Sequence, residues 1–252
     1  KTIAEVSDRI AVILPFEEEI YRGTGVQCEF VGHPVLEEIE SLRKDKSALR
    51  ISLGLDPERP VLALLPGSRP HELKNLLPVM LDVVKKFKAE FPAYNYQFVM
   101  PVAPNVDIEK YRDYIGRLED EDVKVKKENA VNVLSVSDLG VIASGTATLQ
   151  SAFLETPMVV IYKVSPFSYS IGKLIINVKY ISLINVILGA EVVKELLQSQ
   201  ADAKNIMREL KKIMLDKDYR EEMINRFGIA RDMFAGKQPS MRVAEMICEM
   251  TA

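Results

Sequence analysis

From Val61 onward, short continuous apolar runs alternate with longer segments in which apolar residues recur every three or four positions. The runs are Val61–Leu65, Tyr96–Met100, Val123–Val125, Leu139–Ala143 and Met158–Tyr162, most of them β-branched or aliphatic throughout. A strand covered on both faces has no polar side to show, so such runs predict strands of a parallel sheet. Between them the spacing predicts helices over about 71–91, 106–117, 129–136 and 145–155, with Leu73, Leu76, Leu77, Met80 and Val84 marking one apolar face. Strand–helix–strand repetition with right-handed crossovers gives an α/β fold on a doubly wound, mainly parallel sheet.

The first 33 residues carry a smaller βα pattern: a strand at Ile10–Leu14, a helix near 16–24, and a strand at Glu29–Val31. Gly32-His33-Pro34 then punctuates the chain before a charged helix around 35–47. We expect a domain boundary there, with 1–33 a remnant of a second domain, 34–225 the main domain and 226–252 C-terminal helices. The opening residues read as the middle of a helix, which predicts a start inside a fold. Helices with Lys/Glu-rich faces are expected to dominate after Glu191.

Composition narrows the function classes. Apolar residues make up 48% and charged residues 27%, ordinary for a globular protein. A net charge of -3 gives no drive toward nucleic acid, and Lys124-Val125-Lys126-Lys127 reads as a solvated strand end. Cys28 and Cys248 are far apart and lack metal-ligand spacing, which suits a reducing compartment. His33 and His71 are the only histidines, so no multi-histidine metal centre is possible. No run reaches the ~18 apolar residues of a membrane-spanning helix.

Two strand-end turns carry candidate chemistry. The first is Leu64-Leu65-Pro66-Gly67-Ser68-Arg69, with Glu72 in the helix that follows. A Gly-Ser turn lets backbone amides approach a ligand, and the carboxyl ends of strands are the binding edge of open α/β sheets. Arg69 there can pair with a phosphate through two parallel hydrogen bonds. The plainer alternative is a turn capped by Ser68 with Arg69 in solvent. The second is Ile142-Ala143-Ser144-Gly145-Thr146-Ala147-Thr148-Leu149-Gln150. Its helix begins at once, so the first amides and the positive end of the helix dipole form an anion site. With phosphates at Ser144–Thr146, Gln150 comes within reach of a ribose hydroxyl. Capping by Ser144 or Thr146 explains the same residues without a ligand. Two such turns in one sheet favour a shared site more than either does alone. Neither is a Walker A loop and no Gly-x-Gly-x-x-Gly occurs, which weakens kinase and dehydrogenase readings.

Tyr162-Lys163-Val164-Ser165-Pro166-Phe167-Ser168-Tyr169 leads into Ile171–Ile176, with Lys173 and Lys179 nearby. These residues fit either a membrane-interface surface or a helix packed on the sheet. In Tyr180–Glu191, Asn185 is polar inside an apolar run and needs partners if buried; a structural hydrogen bond and a substrate contact are both open. No Ser–His–acid or paired-carboxylate arrangement emerges, and neither histidine is assigned to catalysis.

Taken in order, these segments resemble the lipid-A-disaccharide synthase family. The similar strings are Phe30-Val31-Gly32-His33-Pro34, Leu64–Arg69 with Glu72, Ala143–Leu149, Pro157-Met158-Val159-Val160, Tyr162–Pro166, Tyr180-Ile181-Ser182-Leu183 and Val192–Gln198. The resemblance covers nearly the whole chain and implies a Rossmann-like sheet of the GT-B type, in which the C-terminal domain holds the sugar-nucleotide donor. It implies transfer of 2,3-diacylglucosamine from UDP to 2,3-diacylglucosamine 1-phosphate, with inversion, no metal and no cofactor. It also implies a cytoplasmic protein in peripheral contact with the inner membrane. The implied donor-binding residues are Gly67, Ser68, Arg69, Glu72, Ser144, Gly145, Thr146, Ala147, Gln150, Asn185 and Glu191; no catalytic residue is assigned. The family's general base is proposed to lie in an N-terminal domain whose last βα unit residues 1–33 resemble, so this chain is expected to be mainly the donor-binding part.

Three positions depart from the family pattern: Gln150 stands where glutamate is usual, Ile184 where proline is, and Ala190 where arginine is. Gln150 and Ala190, with the expected absence of most of the N-terminal domain, keep a non-catalytic nucleotide-binding module in play. A UDP-sugar 2-epimerase-like enzyme is the nearest enzyme rival, because that family shares the GT-B architecture and Gly-Ser-type turns at strand ends.

Overall fold

A computed structural model describes residues 2–42, 45–163 and 179–251. Strands β1 (Arg9–Val12) and β2 (Gln27–Phe30) pair in parallel as a separate two-stranded sheet, preceded by the short helix α1 (Thr2–Glu5) and connected through α2 (Glu17–Tyr21). The segment expected as one charged helix folds as two, α3 (Pro34–Glu40) and α4 (Lys46–Ser52), with Asp45 capping the second through Ala48 N–H at 2.9 Å.

The main sheet has six strands: β3 (Val61–Leu65), β4 (Gln97–Pro101), β5 (Val123–Lys126), β6 (Leu139–Ala143), β7 (Met158–Tyr162) and β8 (Glu195–Leu197). Their order is β5-β4-β3-β6-β7-β8, and every pairing is parallel. Three strands begin and end where the apolar pattern places them; β4 and β5 each reach one residue further at the carboxyl end. The sheet is the expected doubly wound, Rossmann-like one. β8 is the difference, because three residues containing Glu195 give too short an apolar signal to distinguish from the helices beyond.

Consecutive residues of a strand point to opposite faces, and Val61, Leu62, Ala63 and Leu64 are all fully buried, so both faces of the sheet are covered. The helices α5 (Pro70–Glu90), α6 (Arg112–Asp120) and α10 (Ala203–Leu215) pack together, as do α7 (Ala130–Ser135), α8 (Thr146–Phe153) and α11 (Lys217–Asp232). Helix α9 (Leu183–Leu188) packs on α8 and α11. At the amino ends of the strands, Asp138 Oδ2 accepts from Val61 N–H at 2.8 Å and from the Arg50 guanidinium at 3.0 Å. That bond pins β3 beside β6 from below, leaving the carboxyl ends of these two strands to shape a site.

Position 225 lies within α11, and the last helix, α12 (Pro239–Thr251), returns to the small sheet. Arg242 donates to both carboxylate oxygens of Glu29 at 2.7 and 2.8 Å, and Lys237 donates to Phe30 O at 2.9 Å. Gly32 has φ +101°, and a Cβ there would stand 2.7 Å from Lys237 Cβ, so only glycine lets the returning chain cross so closely.

Candidate functional site

The strand order reverses direction between β3 and β6, and in open α/β sheets the crevice outside the carboxyl ends at such a switch is where ligands bind. A cleft of about 480 Å³ lies there, within the range of small-molecule sites. Its walls include Gly67, Ser68, Arg69 and Glu72 after β3, and Ser144, Gly145, Thr146 and Ala147 after β6. The two turns are separated by two strands in sequence and brought side by side by the parallel pairing of β3 with β6.

The turn after β3 is held by Glu72. Its buried carboxylate accepts from Ser68 N–H and Arg69 N–H, both at 3.1 Å, and from the Arg69 guanidinium at 3.1 Å. This is a helix N-terminus satisfied by a glutamate at its third position, behind Pro70 at the first. Gly67 adopts φ +90°, and a Cβ there would fall 2.1 Å from Glu72 Oε2. Glycine is thus what lets the carboxylate fold under the turn. The Arg69 side chain is 70% exposed and its partner only 6%, so the guanidinium stands at the mouth of the cleft while the carboxylate is buried beneath the turn.

The turn after β6 is built otherwise. Ser144 N–H donates to Ile161 O at 3.0 Å, and its hydroxyl donates to Ile181 O at 2.8 Å, so its polar groups are spent on β7 and on the chain before α9. No side chain caps α8, whose first amides, those of Thr146 and Ala147, face the cleft with no acceptor among the described residues. Such free amides and the positive end of the helix dipole together favour an anion.

The remaining walls come from the ends of β4 and β5: Pro101, Ala103 and Pro104, then Glu128, Asn129 and Ala130. Sequence reasoning did not single these out, although the rule that strand ends line the crevice applies to them equally. Among the described lining residues the ionisable groups are Arg69, Glu72 and Glu128. With Arg69 already paired, the fixed attraction for an anion comes chiefly from α8. No group of His, Cys, Asp and Glu that could hold a metal ion is found among the described residues.

The family model for lipid-A-disaccharide synthetase matches residues 1–243 of this chain. The chain belongs to the lipid-A-disaccharide synthase family. The Myxococcus xanthus lipid-A-disaccharide synthase is 38% identical over 252 residues, covering 99% of this chain and 64% of the relative. The Geobacter sulfurreducens one is 36% identical over 253 residues, again covering 99% and 64%. The chain therefore spans about 64% of the length of these relatives. Among solved structures, the Neisseria meningitidis UDP-GlcNAc 2-epimerase bound to UDP-GlcNAc superposes with a TM-score of 0.59 at 15% identity, covering 88% of this chain and 56% of that one. The calicheamicin glycosyltransferase CalG4 gives 0.53 at 14%, covering 96% and 54%. At these identities the likeness is one of fold, the GT-B type, and the epimerase reading gains nothing from it over the synthase family.

The structure does not bring all the family-implied positions to the cleft. Gln150, one turn into α8, stands outside the lining, and its amide donates to Glu38 Oε2 on α3 at 3.2 Å. Asn185 is fully buried and spends its whole hydrogen-bonding capacity internally: it donates to Val193 O and Glu195 Oε1, both at 2.8 Å, and accepts from Val192 and Val193 N–H at 2.8 and 3.0 Å. Glu195 in turn accepts from Ile181 N–H, Ser182 N–H and the Ser182 hydroxyl, fixing the segment that Ser144 touches. Of the two readings open for Asn185, these bonds supply the structural one. Glu191 is exposed and pairs with Lys194 at 3.0 Å, away from the cleft. Residues 164–178, where the membrane-interface reading falls, lie outside the described residues.

Proposed function

We propose that the cleft binds the pyrophosphate of a UDP-sugar, and that the chain is the donor-binding part of an enzyme of lipid A synthesis. The observation that carries this reading is the uncapped start of α8, aimed into a cleft at the switch point and faced by the exposed Arg69 guanidinium. A leaving UDP gathers negative charge as the glycosidic bond breaks, and prearranged amides and a guanidinium stabilise that charge without reorganising. The donor is 2,3-diacylglucosamine carried on UDP, and the acceptor is 2,3-diacylglucosamine 1-phosphate, joined as a β-1,6 disaccharide with inversion.

On this proposal the division of the chain is 1–33, 34–225 and 226–252. The first part belongs to the acceptor side, a reading supported by its separate two-stranded sheet. Both substrates carry acyl chains that favour a bilayer, so the working position is peripheral, on the cytoplasmic face of the inner membrane. No described helix is long and apolar enough to cross a membrane.

Calorimetric titration of the chain with UDP, UMP and NAD tests the reading. UDP should bind more tightly than UMP, which lacks the second phosphate, and than NAD, whose second nucleoside the site has no reason to prefer. Absence of UDP binding at millimolar concentration overturns it. Product analysis with acylated donor and acceptor then tests the assigned transfer.

A further inference from the structure

Glu38 lies on α3, the first element after the Gly32-His33-Pro34 junction, and α3 packs on α8. Its two carboxylate oxygens are taken by two different elements, the cap of α7 and the second turn of α8. Oε1 accepts from Asn129 Nδ2 at 2.5 Å, and Oε2 accepts from Gln150 Nε2 at 3.2 Å. Asn129 lines the cleft and caps α7, its Oδ1 accepting from Val131 N–H at 2.9 Å. Gln150 sits one turn behind the amides at the start of α8. Neither bond is local, since 91 and 112 positions separate the partners.

We propose that Glu38 is a positioning residue for the nucleotide site, setting the gap between the cap of α7 and the start of α8, and that Gln150 is matched to it. A carboxylate that accepts two amide hydrogen bonds makes stronger, more directional contacts than a neutral acceptor, so it holds both walls at once. The same geometry explains the residue type at 150. A glutamate there would set a second carboxylate about 3 Å from the first, and like charges so close repel; glutamine instead supplies the donor that Glu38 needs. The consequence reaches the site through α8, whose first amides move with Gln150 as one rigid turn. It reaches the opposite wall through Asn129, whose side chain is tied at both ends.

This inference rests on the donor-site reading for its effect on UDP and on the contacts of Glu38 alone for its effect on the two helix ends, so two measurements separate the failures. The variants are Glu38→Gln, Gln150→Glu and the double exchange. In the double exchange the new amide at position 38 donates to the new carboxylate at position 150, and its carbonyl oxygen still accepts from Asn129. The bridge is then rebuilt with its polarity reversed. Calorimetry should show each single variant weakening UDP binding about tenfold and the exchange recovering most of that loss. Thermal midpoints should change little, because Glu38 is only half-buried. Hydrogen exchange without nucleotide should quicken at residues 131–133 and 148–151 in the single variants and return toward the parent in the exchange.

Single variants that stay folded and match the parent in both measurements overturn the proposal, as does an exchange no better than the sum of its singles. A parent that fails to bind UDP while the exchange rates respond as stated counts against the donor site and supports the bridge.

Discussion

The turns after β3 and β6 stand side by side, use the same small residues and each open a helix, yet they treat their amides in opposite ways. After β3, the carboxylate of Glu72 takes Ser68 N–H, Arg69 N–H and the guanidinium, so the turn is closed electrostatically before any ligand arrives. After β6, the side chain placed to cap α8 is missing: Ser144 turns its hydroxyl to Ile181 O, and Gly145 has none to offer. A helix N-terminus left without a protein acceptor costs stability, and one that opens into a cleft at a switch point is free to receive an anion. The first turn is thus scaffold with a guanidinium mounted on it, while the second is the one that, on the proposed reading, receives the phosphates.

The largest effect expected from this contrast is on folding. Gly67→Ala puts a Cβ against Glu72 Oε2 and forces a positive φ, so it should cost about 2–3 kcal/mol in denaturant unfolding. At Gly145 the backbone is extended, with φ 161°, and a Cβ would meet nothing within 4 Å. Gly145→Val should therefore leave stability within about 0.5 kcal/mol, yet fill the space where the phosphate approaches and weaken UDP binding at least about tenfold. Equal stability losses at the two glycines would break the comparison.

Much of this arrangement was legible in the sequence, for reasons that differ from residue to residue. β3, β6 and β7 declare themselves because a strand covered on both faces must be apolar throughout; β8 does not, since Glu195 sits in it and works as a four-way acceptor for Ile181, Ser182 and Asn185. The two turns are visible as glycine and serine at strand ends. That Glu72 closes the first was also within reach, because a glutamate at the third helical position behind Pro70 is a capping signature. The walls at Pro101–Pro104 and Glu128–Ala130 carry no distinctive residue type and become neighbours only through the strand order. The Glu38 bridge depends on contacts across 91 and 112 positions, which no local pattern encodes.

Arg69 sharpens the contrast at intermediate size. An exposed guanidinium already paired with Glu72 gives up part of that pairing on meeting a phosphate, so its net contribution is smaller than that of an unpaired cation. Arg69→Ala should weaken UDP about tenfold, the lower end for a hydrogen bond to a charged group, and Arg69→Lys should recover only part of it for want of the two-pronged contact. Affinity within about twofold of the parent would remove the guanidinium from the site. Its removal should not loosen the turn, because the Ser68 and Arg69 amides keep their carboxylate.

The smallest expected effect comes from a third helix start, which serves as a control for the other two. His33 caps α3 through Nδ1, which accepts from Val35 N–H at 3.1 Å, so the cap exists only while that nitrogen is unprotonated. Burial holds the pKa of His33 below its ordinary 6.5, against the opposing pull of Glu17. Because the folded state resists the proton, the capping contribution is complete above the unfolded value and is lost as pH falls through it toward the lower folded pKa. Losing such a cap is worth about 1 kcal/mol, so urea unfolding of the parent should show a decline of that order on acidification from about pH 7 to about pH 5. His33→Asn keeps an accepting oxygen without a titrating group and should remove this part of the decline, whereas His33→Ala should lower stability by a similar amount at the upper pH. A parent and an asparagine variant with the same pH dependence would show that the cap at α3 does not titrate.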